Sequence, residues 1–286
     1  MQHSPQGIVS FREDGAMAMS VAKRFHVEPT LARERRYPAG ELLIQHHGVS
    51  PRHVLVVGNV TGDLSSLIRL IALAEGLRQT GASSVVLLAP WIAYGRQDRI
   101  GEQGESPIGL VVGRMLAQSY DHIATLDAHS PAFVKSFRGK LKNVLSSSDP
   151  VREWRVDIVV APDVGATLRA KQMARALGVP MTVMTKVRTG IRTVTRLPDA
   201  EDDSFVGKRV LLVDDLVDSG GTLLAAARIL RERGASFVGA IVTHAIDAQA
   251  IRMKTRNEIS DMRIVMDHAS GALEQEALGR LTDALL

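Results

Sequence analysis

The chain of 286 residues contains no cysteine. Disulfides and thiolate metal sites are therefore excluded, and a reducing cytoplasm is compatible with the composition. Aromatic residues make up only 4% of the chain, and no basic run is interleaved with them. The charge is nearly balanced as well, at +4 from 35 basic and 31 acidic residues. Both features argue against a nucleic-acid partner, while a mildly basic surface suits anionic metabolites. Long apolar runs are also missing. The longest, Val85 to Tyr94, contains Pro90 and is too short to span a bilayer. The first residues lack the basic-then-apolar pattern of a secretory signal. The expectation is a soluble cytoplasmic protein with no membrane association. Its 45% of hydrophobic residues suffices for one large or two medium domains.

The most informative stretch is Val210-Leu-Leu-Val-Asp-Asp-Leu-Val-Asp-Ser-Gly-Gly-Thr222. Four apolar residues, Val210 to Val213, predict a short strand buried on both faces. Asp214 and Asp215 stand at its C-terminal end, where open parallel sheets bind ligands. The turn Asp218-Ser219-Gly220-Gly221-Thr222 then opens into a helix with apolar positions at Leu223, Ala226, Ala227 and Leu230. A glycine turn at a helix N-terminus presents backbone N–H groups and the positive dipole end to a phosphate. Carboxylates would repel that phosphate, but they suit sugar hydroxyls or a magnesium ion. The blander alternative is a tight turn whose helix is capped by Asp218.

Short β-branched strands alternate with Ala- and Leu-rich helices, which predicts an α/β fold with largely parallel sheets. The chain also resembles itself. His53-Val-Leu-Val-Val57 parallels Arg209-Val-Leu-Leu-Val213, and Gly76 to Ser84 parallels Ile229 to Phe237. The offsets, about 156 and about 153 residues, suggest two copies of one α/β unit. Only the second copy carries the acid pair and the glycine turn; after the first strand the chain reads Gly58-Asn-Val-Thr-Gly-Asp63. The join is expected near Ser146-Ser-Ser-Asp-Pro150.

Other clusters admit two readings each. Arg96-Gln97-Asp98-Arg99 is either a clamp for a polyphosphate or a self-paired, solvated charge cluster. His129, in Asp127-Ala-His129, is either a ligand or a structural histidine at a strand end. Asp163 and Gly165 precede a helix from Thr167, with Leu168, Met173, Ala174 and Leu177 at its apolar positions, which makes a second strand–loop–helix anion site. Lys186-Val-Arg188 begins a basic stretch running through Arg192 and Arg196 to the acidic Glu201-Asp-Asp203. It reads either as a mobile loop that closes over an anion or as a plain surface loop.

Over roughly residues 30 to 250 these segments resemble, in order, the ribose-phosphate pyrophosphokinases (phosphoribosyl diphosphate synthases). Residues 210–222 are similar to that family's phosphoribosyl-binding motif, and Tyr94-Gly-Arg-Gln-Asp-Arg99 to its nucleotide-contacting motif. Asp127-Ala-His129-Ser is similar to the Asp-Leu-His-Ala metal segment, and Pro162-Asp-Val-Gly165 to the Pro-Asp-Val-Gly-Gly loop. Lys186-Val-Arg188 resembles the Lys-Arg-Arg start of the flexible catalytic loop. Tyr37-Pro-Ala-Gly-Glu41 resembles a Phe-Pro-Asp-Gly-Glu nucleotide segment that the family lends to a neighbouring subunit. The departures are Tyr37 for Phe, Ala39 for an acid, Ala128 and Ser130 beside His129, Ala166 for glycine and Val187 for a basic residue. The chain is also shorter than usual after Asp267.

The resemblance implies two tandem phosphoribosyltransferase-like domains, each a mainly parallel sheet flanked by helices. The first, residues 1–145, is the nucleotide side and carries oligomer contacts. The second, residues 146–286, holds ribose 5-phosphate, with its last residues packing back on the first. The implied reaction is attack by the anomeric hydroxyl of ribose 5-phosphate on the β-phosphorus of ATP, with AMP leaving. By resemblance, Lys186 and Arg188 are catalytic, and Asp214, Asp215, Asp218, Ser219, Gly220, Gly221 and Thr222 bind the sugar phosphate. Tyr37, Glu41, Arg96, Gln97, Asp98 and Arg99 bind the nucleotide, while His129 and Asp163 hold Mg2+. A homo-oligomer built from dimers, as large as a hexamer, is expected. The alternatives are a paralogue with a changed sugar phosphate or donor, and a non-catalytic regulatory subunit. A lone purine-type phosphoribosyltransferase would share 210–222 but have no need of the first half.

Overall fold

The computed structural model describes residues 4–46, 51–189, 192–196 and 205–285; across 186–189 and 192–196 the description is of the backbone. The chain divides into two compact units, residues 1–144 with 275–286, and residues 145–274.

The first unit begins with β1 (Gly7–Ser10), α1 (Gly15–Phe25) and β2 (Pro29–Leu31). An antiparallel hairpin follows, β3 (Arg33–Arg36) and β4 (Leu42–Gln45). Then come β5 (His53–Val57), α2 (Leu64–Gln79), β6 (Ser84–Leu88), α3 (Ile108–Ser119), β7 (His122–Leu126), α4 (Pro131–Ser136) and β8 (Leu141–Val144). The sheet order is β2-β1-β5-β6-β7-β8, with every neighbouring pair parallel. Val54 and Val56 of β5 pack with Leu70, Leu73 and Leu77 of α2 in one buried cluster. Helix α2 starts where the Asp63 side chain accepts the Ser65 N–H at 2.9 Å, satisfying one otherwise orphaned donor. In the core, the buried Tyr120 hydroxyl donates to the Leu70 carbonyl at 2.6 Å.

The second unit repeats this plan. Its elements are β9 (Ile158–Ala161), α5 (Thr167–Leu177), β10 (Met181–Val183), the hairpin β11 (Thr185–Thr189) and β12 (Arg192–Arg196), β13 (Arg209–Val217), α6 (Gly221–Glu232), β14 (Phe237–Ala245), α7 (Ala248–Thr255), β15 (Asp261–Asp267) and β16 (Ala272–Leu273). The order is β10-β9-β13-β14-β15-β16, parallel except for the last pair. Strand for strand this matches the first sheet, and in each unit a hairpin separates the second strand of the chain from the third central one. The similarity between residues 53–57 and 209–213 is thus a similarity of position, since both are the strand beside the first strand of their sheet. Helix α8 (Gln275–Asp283) belongs with the first unit, where it packs on β7 and α1.

Three local expectations change. First, β13 does not stop at Val213 but runs through the acid pair to Val217, because β14 continues to pair with it as far as Ala245. Second, α6 is capped by Gly220 (φ 73°) and not by Asp218, and no side chain caps it. Third, the basic stretch from Lys186 is not an irregular loop; β11 and β12 pair in register from Thr185 with Arg196 to Thr189 with Arg192. The acidic Glu201 to Asp203 lie outside the described residues. The core positions Leu223, Ala226, Ala227 and Leu230 are buried as their helical spacing predicts. Leu168 is not: it is 53% exposed, and Arg169 takes the buried place beside Ala170, Met173 and Ala174.

Candidate active site

In each sheet the strand order reverses beside the first strand. That switch point opens a crevice at the carboxyl ends of β1 and β5 in one unit, and of β9 and β13 in the other. In the second unit two carboxylates stand at this crevice. Strand β9 pairs with β13 only as far as Leu212, so Asp214 and Asp215 lie on the part of β13 beyond that pairing. The Asp215 N–H donates to Asp214 Oδ1 at 3.0 Å. Burial, followed by the charges of Asp215 and Asp163, pushes the Asp214 carboxyl well above its usual range.

The turn after β13 leads into the N-terminus of α6. Gly220 adopts the left-handed conformation that a side chain strains to reach, and as the N-cap of α6 it brings no side chain to the helix start. Asp218 and Ser219 are exposed, Gly220 is buried, and Gly221 and Thr222 form the first turn of the helix. Helix α7 supports the turn from below: Lys254 Nζ donates to the Ser219 carbonyl at 2.6 Å.

The loop after β9 is a short 3-10 turn, Val164–Ala166, capped by Asp163, whose Oδ1 accepts the Gly165 N–H at 3.0 Å. Ala166, which replaces a glycine of the similar motif, is fully buried. Arg169 of α5 ties this loop to the acid pair. Its Nη1 donates to the Gly165 carbonyl at 3.2 Å, and its Nη2 lies 3.4 Å from Asp215 Oδ2. Sequence reasoning missed Arg169, which reads as an ordinary helix surface cation; the one available signal was its position on the same stripe as Met173.

Charge from Asp163 and Asp215 reaches Asp214, so the second unit gathers hard oxygen donors whose mutual repulsion a divalent cation would relieve. This donor chemistry suits magnesium. Among the described residues, no group of three or more His, Asp or Glu side chains is arranged to enclose a metal by itself. Residues 186 and 188 lie on β11, and their side chains are outside the described part of the structure.

The corresponding crevice of the first unit is occupied by its own side chains. Asp14 Oδ1 accepts from Asn59 Nδ2 at 2.9 Å and Asp14 Oδ2 from the Asn59 N–H at 3.3 Å. Asn59 Oδ1 in turn accepts the Trp91 N–H at 2.9 Å. Burial outweighs the Asn59 hydrogen bonds and pushes the Asp14 carboxyl up to about 6.

The first unit presents a different loop, residues 94–99 after β6. Tyr94 is held at φ 69° while its hydroxyl donates to the Gly62 carbonyl. The Gln97 N–H donates to the Tyr94 carbonyl, and the Gly109 N–H to the Gln97 carbonyl, each at 2.9 Å. A Cβ on Gly109 would lie 2.4 Å from the Tyr94 oxygen, so the close approach of α3 requires glycine there. Arg96, Gln97 and Arg99 are exposed and Asp98 is half-buried. His129 lies against this loop, since a Cβ on Gly95 would be 3.1 Å from the His129 Cβ. The His129 segment is itself pinned, with Asp127 buried at φ 44° and the Ala128 N–H donating to Asn143 Oδ1 at 2.7 Å. Tyr37 and Glu41 close the exposed turn of the β3–β4 hairpin, where the Tyr37 N–H donates to the Glu41 carbonyl at 2.9 Å. Arg35 stands 5.8 Å from the Tyr37 ring centre.

The two units therefore divide the predicted residues. Tyr37, Glu41, 96–99 and His129 belong to the first; Asp163, residues 186 and 188, the acid pair and 218–222 belong to the second. Comparison with known proteins follows the same division. Residues 7–119 match the family model described as the N-terminal domain of ribose phosphate pyrophosphokinase, and residues 128–270 match the phosphoribosyl transferase domain. The chain is 31% identical over 236 residues to a ribose-phosphate pyrophosphokinase of Pyrococcus furiosus, covering 80% of this chain and 83% of that one. It is 28% identical over 261 residues to that of Thermoplasma acidophilum, covering 90% of each. With that of Vibrio cholerae it shares 29% identity over 283 residues, covering 94% of this chain and 88% of that one. In three dimensions it is similar to the crystal structure of phosphoribosylpyrophosphate synthetase from Mycobacterium smegmatis, with TM-score 0.78, 23% identity and coverage of 91% and 88%. At that identity the likeness speaks for the fold.

Proposed function

Because the chain belongs to the ribose-phosphate pyrophosphokinase family, we propose that it transfers the diphosphoryl group of ATP to the anomeric hydroxyl of ribose 5-phosphate. The products are phosphoribosyl diphosphate and AMP. The observation that carries this reading is the end of β13, where two carboxylates are followed by a left-handed glycine that begins a helix.

In this reading the N–H groups of 218–222 hold the 5-phosphate, and the acid pair orients the ribose hydroxyls. The anomeric oxygen forms a bond to the β-phosphorus while the bond between that phosphorus and the α,β-bridging oxygen breaks. The hydroxyl proton is lost to solvent, and AMP leaves with the bridging oxygen. Catalysis of this kind rests on positioning and on charge neutralisation. Arg96, Gln97, Asp98 and Arg99, with Tyr37 and Glu41, bind the nucleotide. Lys186 and Arg188 supply positive charge to the oxygens that become more negative in the transition state. Asp163 and His129 are the residues that would hold Mg2+, which supplies charge neutralisation on the diphosphate when bound. The reading also places the enzyme in the cytoplasm as a homo-oligomer built from dimers, with no membrane or nucleic-acid partner. The oligomer follows from the resemblance of residues 37–41 to a segment lent between subunits.

The test is magnesium-dependent release of AMP from ATP and ribose 5-phosphate, measured with the wild type and with Lys186→Ala. The variant is expected to lose about two to three orders of magnitude in rate, the usual cost of one transition-state donor, with its circular dichroism unchanged. A wild type that forms no AMP with any pentose phosphate sinks the proposal. One observation favours testing other donors too. Ala39 sits in the turn between Tyr37 and Glu41 where the similar motif has an acid, so the screen includes other nucleoside triphosphates.

A further inference from the structure

Ser130 occupies a position where the similar motif has alanine, and the fold uses its hydroxyl twice. As the N-cap of α4, Ser130 Oγ accepts the Phe133 N–H at 3.1 Å. The same hydroxyl donates to Asp98 Oδ2. Serine has one proton to give and lone pairs to accept with, so both bonds form at once. Alanine can form neither.

The second bond crosses between two segments of the first unit. Residues 94–99 are anchored to α3 through the Gly109 N–H and to the His129 segment through the Gly95 approach. Asp98 stands between Arg96 and Arg99, and it is half-buried where Arg96, Gln97 and Arg99 are exposed. A hydrogen bond to an ionised acceptor is among the stronger ones, and here it fixes the carboxylate against the N-terminus of α4.

We infer that Ser130 is a positioning residue of the donor site: its hydroxyl locks Asp98, and with it the loop bearing Arg96, Gln97 and Arg99, to the segment bearing His129. The inference rests on the proposal that residues 96–99 bind the nucleotide. Without the lock the loop samples other arrangements, and the nucleotide must select the competent one at a cost in affinity.

The two jobs of the hydroxyl can be separated with a size-matched pair. Ser130→Asp keeps an acceptor for the Phe133 N–H, so the cap survives, but it opposes Asp98 with a second negative charge. Ser130→Asn keeps the acceptor and offers an N–H to Asp98. Binding of a non-hydrolysable ATP analogue in excess magnesium, without sugar phosphate, is measured by calorimetry, and KM for both substrates is measured by AMP release. Ser130→Asp is expected to weaken the analogue about tenfold or more, the usual scale for a lost hydrogen bond to a charged group. It should raise KM for ATP to match and leave KM for ribose 5-phosphate unchanged. Ser130→Asn is expected to bind within about threefold of the wild type. Wild-type affinity in Ser130→Asp, or equal losses in the two variants, overturns the lock and leaves Ser130 as a helix cap. A wild type that neither binds the analogue nor releases AMP overturns the donor reading itself, and this inference with it.

Discussion

Arg169 and Asp215 form an ion pair whose side chains are only 7% and 9% exposed, joining α5 to the acid pair of β13. Since Arg169 also holds the Gly165 carbonyl, one guanidinium fixes both loops of the second unit's crevice. Such a pair is expensive to break from one side, because the abandoned charge stays buried.

Arg169→Met is therefore expected to lower stability by about 3 kcal/mol, towards the low end for a broken buried pair because the 3.4 Å separation is long. Asp215→Asn should cost a similar amount. The double variant should cost clearly less than the sum, since it leaves no charge stranded. Urea unfolding of the four proteins measures this; additive losses would show that the two groups do not interact.

Two glycines of the second unit should fail in different ways. At Gly220 there is room for a Cβ, the nearest atoms being 3.7 Å away or more, but φ is +73°. Gly220→Ala should cost about 1–2 kcal/mol in backbone strain and raise KM for ribose 5-phosphate. At Gly239 the backbone is ordinary, but a Cβ would lie 2.7 Å from Trp154 Cε3 and 2.8 Å from Phe237 Cε1. Gly239→Ala should cost about 1–3 kcal/mol through overpacking and leave that KM unchanged. Thermal unfolding with steady-state kinetics on both variants decides it.

Lys254 is exposed, and its ammonium braces the Ser219 carbonyl at 2.6 Å. Lys254→Met should raise KM for ribose 5-phosphate by roughly threefold with kcat unaltered, a surface-charge effect that shrinks at high salt. An unchanged KM at low ionic strength would remove Lys254 from the account.

Asp14 gives a pH dependence of definite sign. Its carboxyl is raised from 3.8 to about 6 in the fold by burial. The folded protein thus holds a proton that the unfolded chain releases between those values. The stabilising contribution is complete below about pH 4 and disappears as pH rises through 6, and it amounts to on the order of 2–3 kcal/mol. Asp14→Asn carries no titrating group, so its stability relative to wild type should rise between pH 4 and pH 6.5. Urea midpoints at several pH values test this; parallel curves for the two proteins would contradict it.

Much of this protein is legible in residues close together along the chain. Leu223, Ala226, Ala227 and Leu230 announce a helix face by spacing alone, and they are buried. The order of strand, glycine turn and helix in 210–222 is likewise readable, because each part is a local preference of the backbone. Where local signals misled, a distant partner had intervened. β13 extends past Val213 because β14 continues beside it. Leu168 is exposed because Arg169 turns inward to meet an acid far along the chain. The stretch from Lys186 reads as a loop in composition and becomes a hairpin only through its register with 192–196.

By itself, then, the sequence determined the alternation of strands and helices and the doubling of the unit, since periodicity and turn chemistry act over a few neighbouring residues. The tertiary structure alone decided the strand order, the self-filled crevice of Asp14 and Asn59, the Arg169–Asp215 brace and the bond from Ser130 to Asp98. The last three each pair residues more than thirty positions apart. No local preference encodes such a pairing; it exists only once two packed elements bring both side chains out of water together.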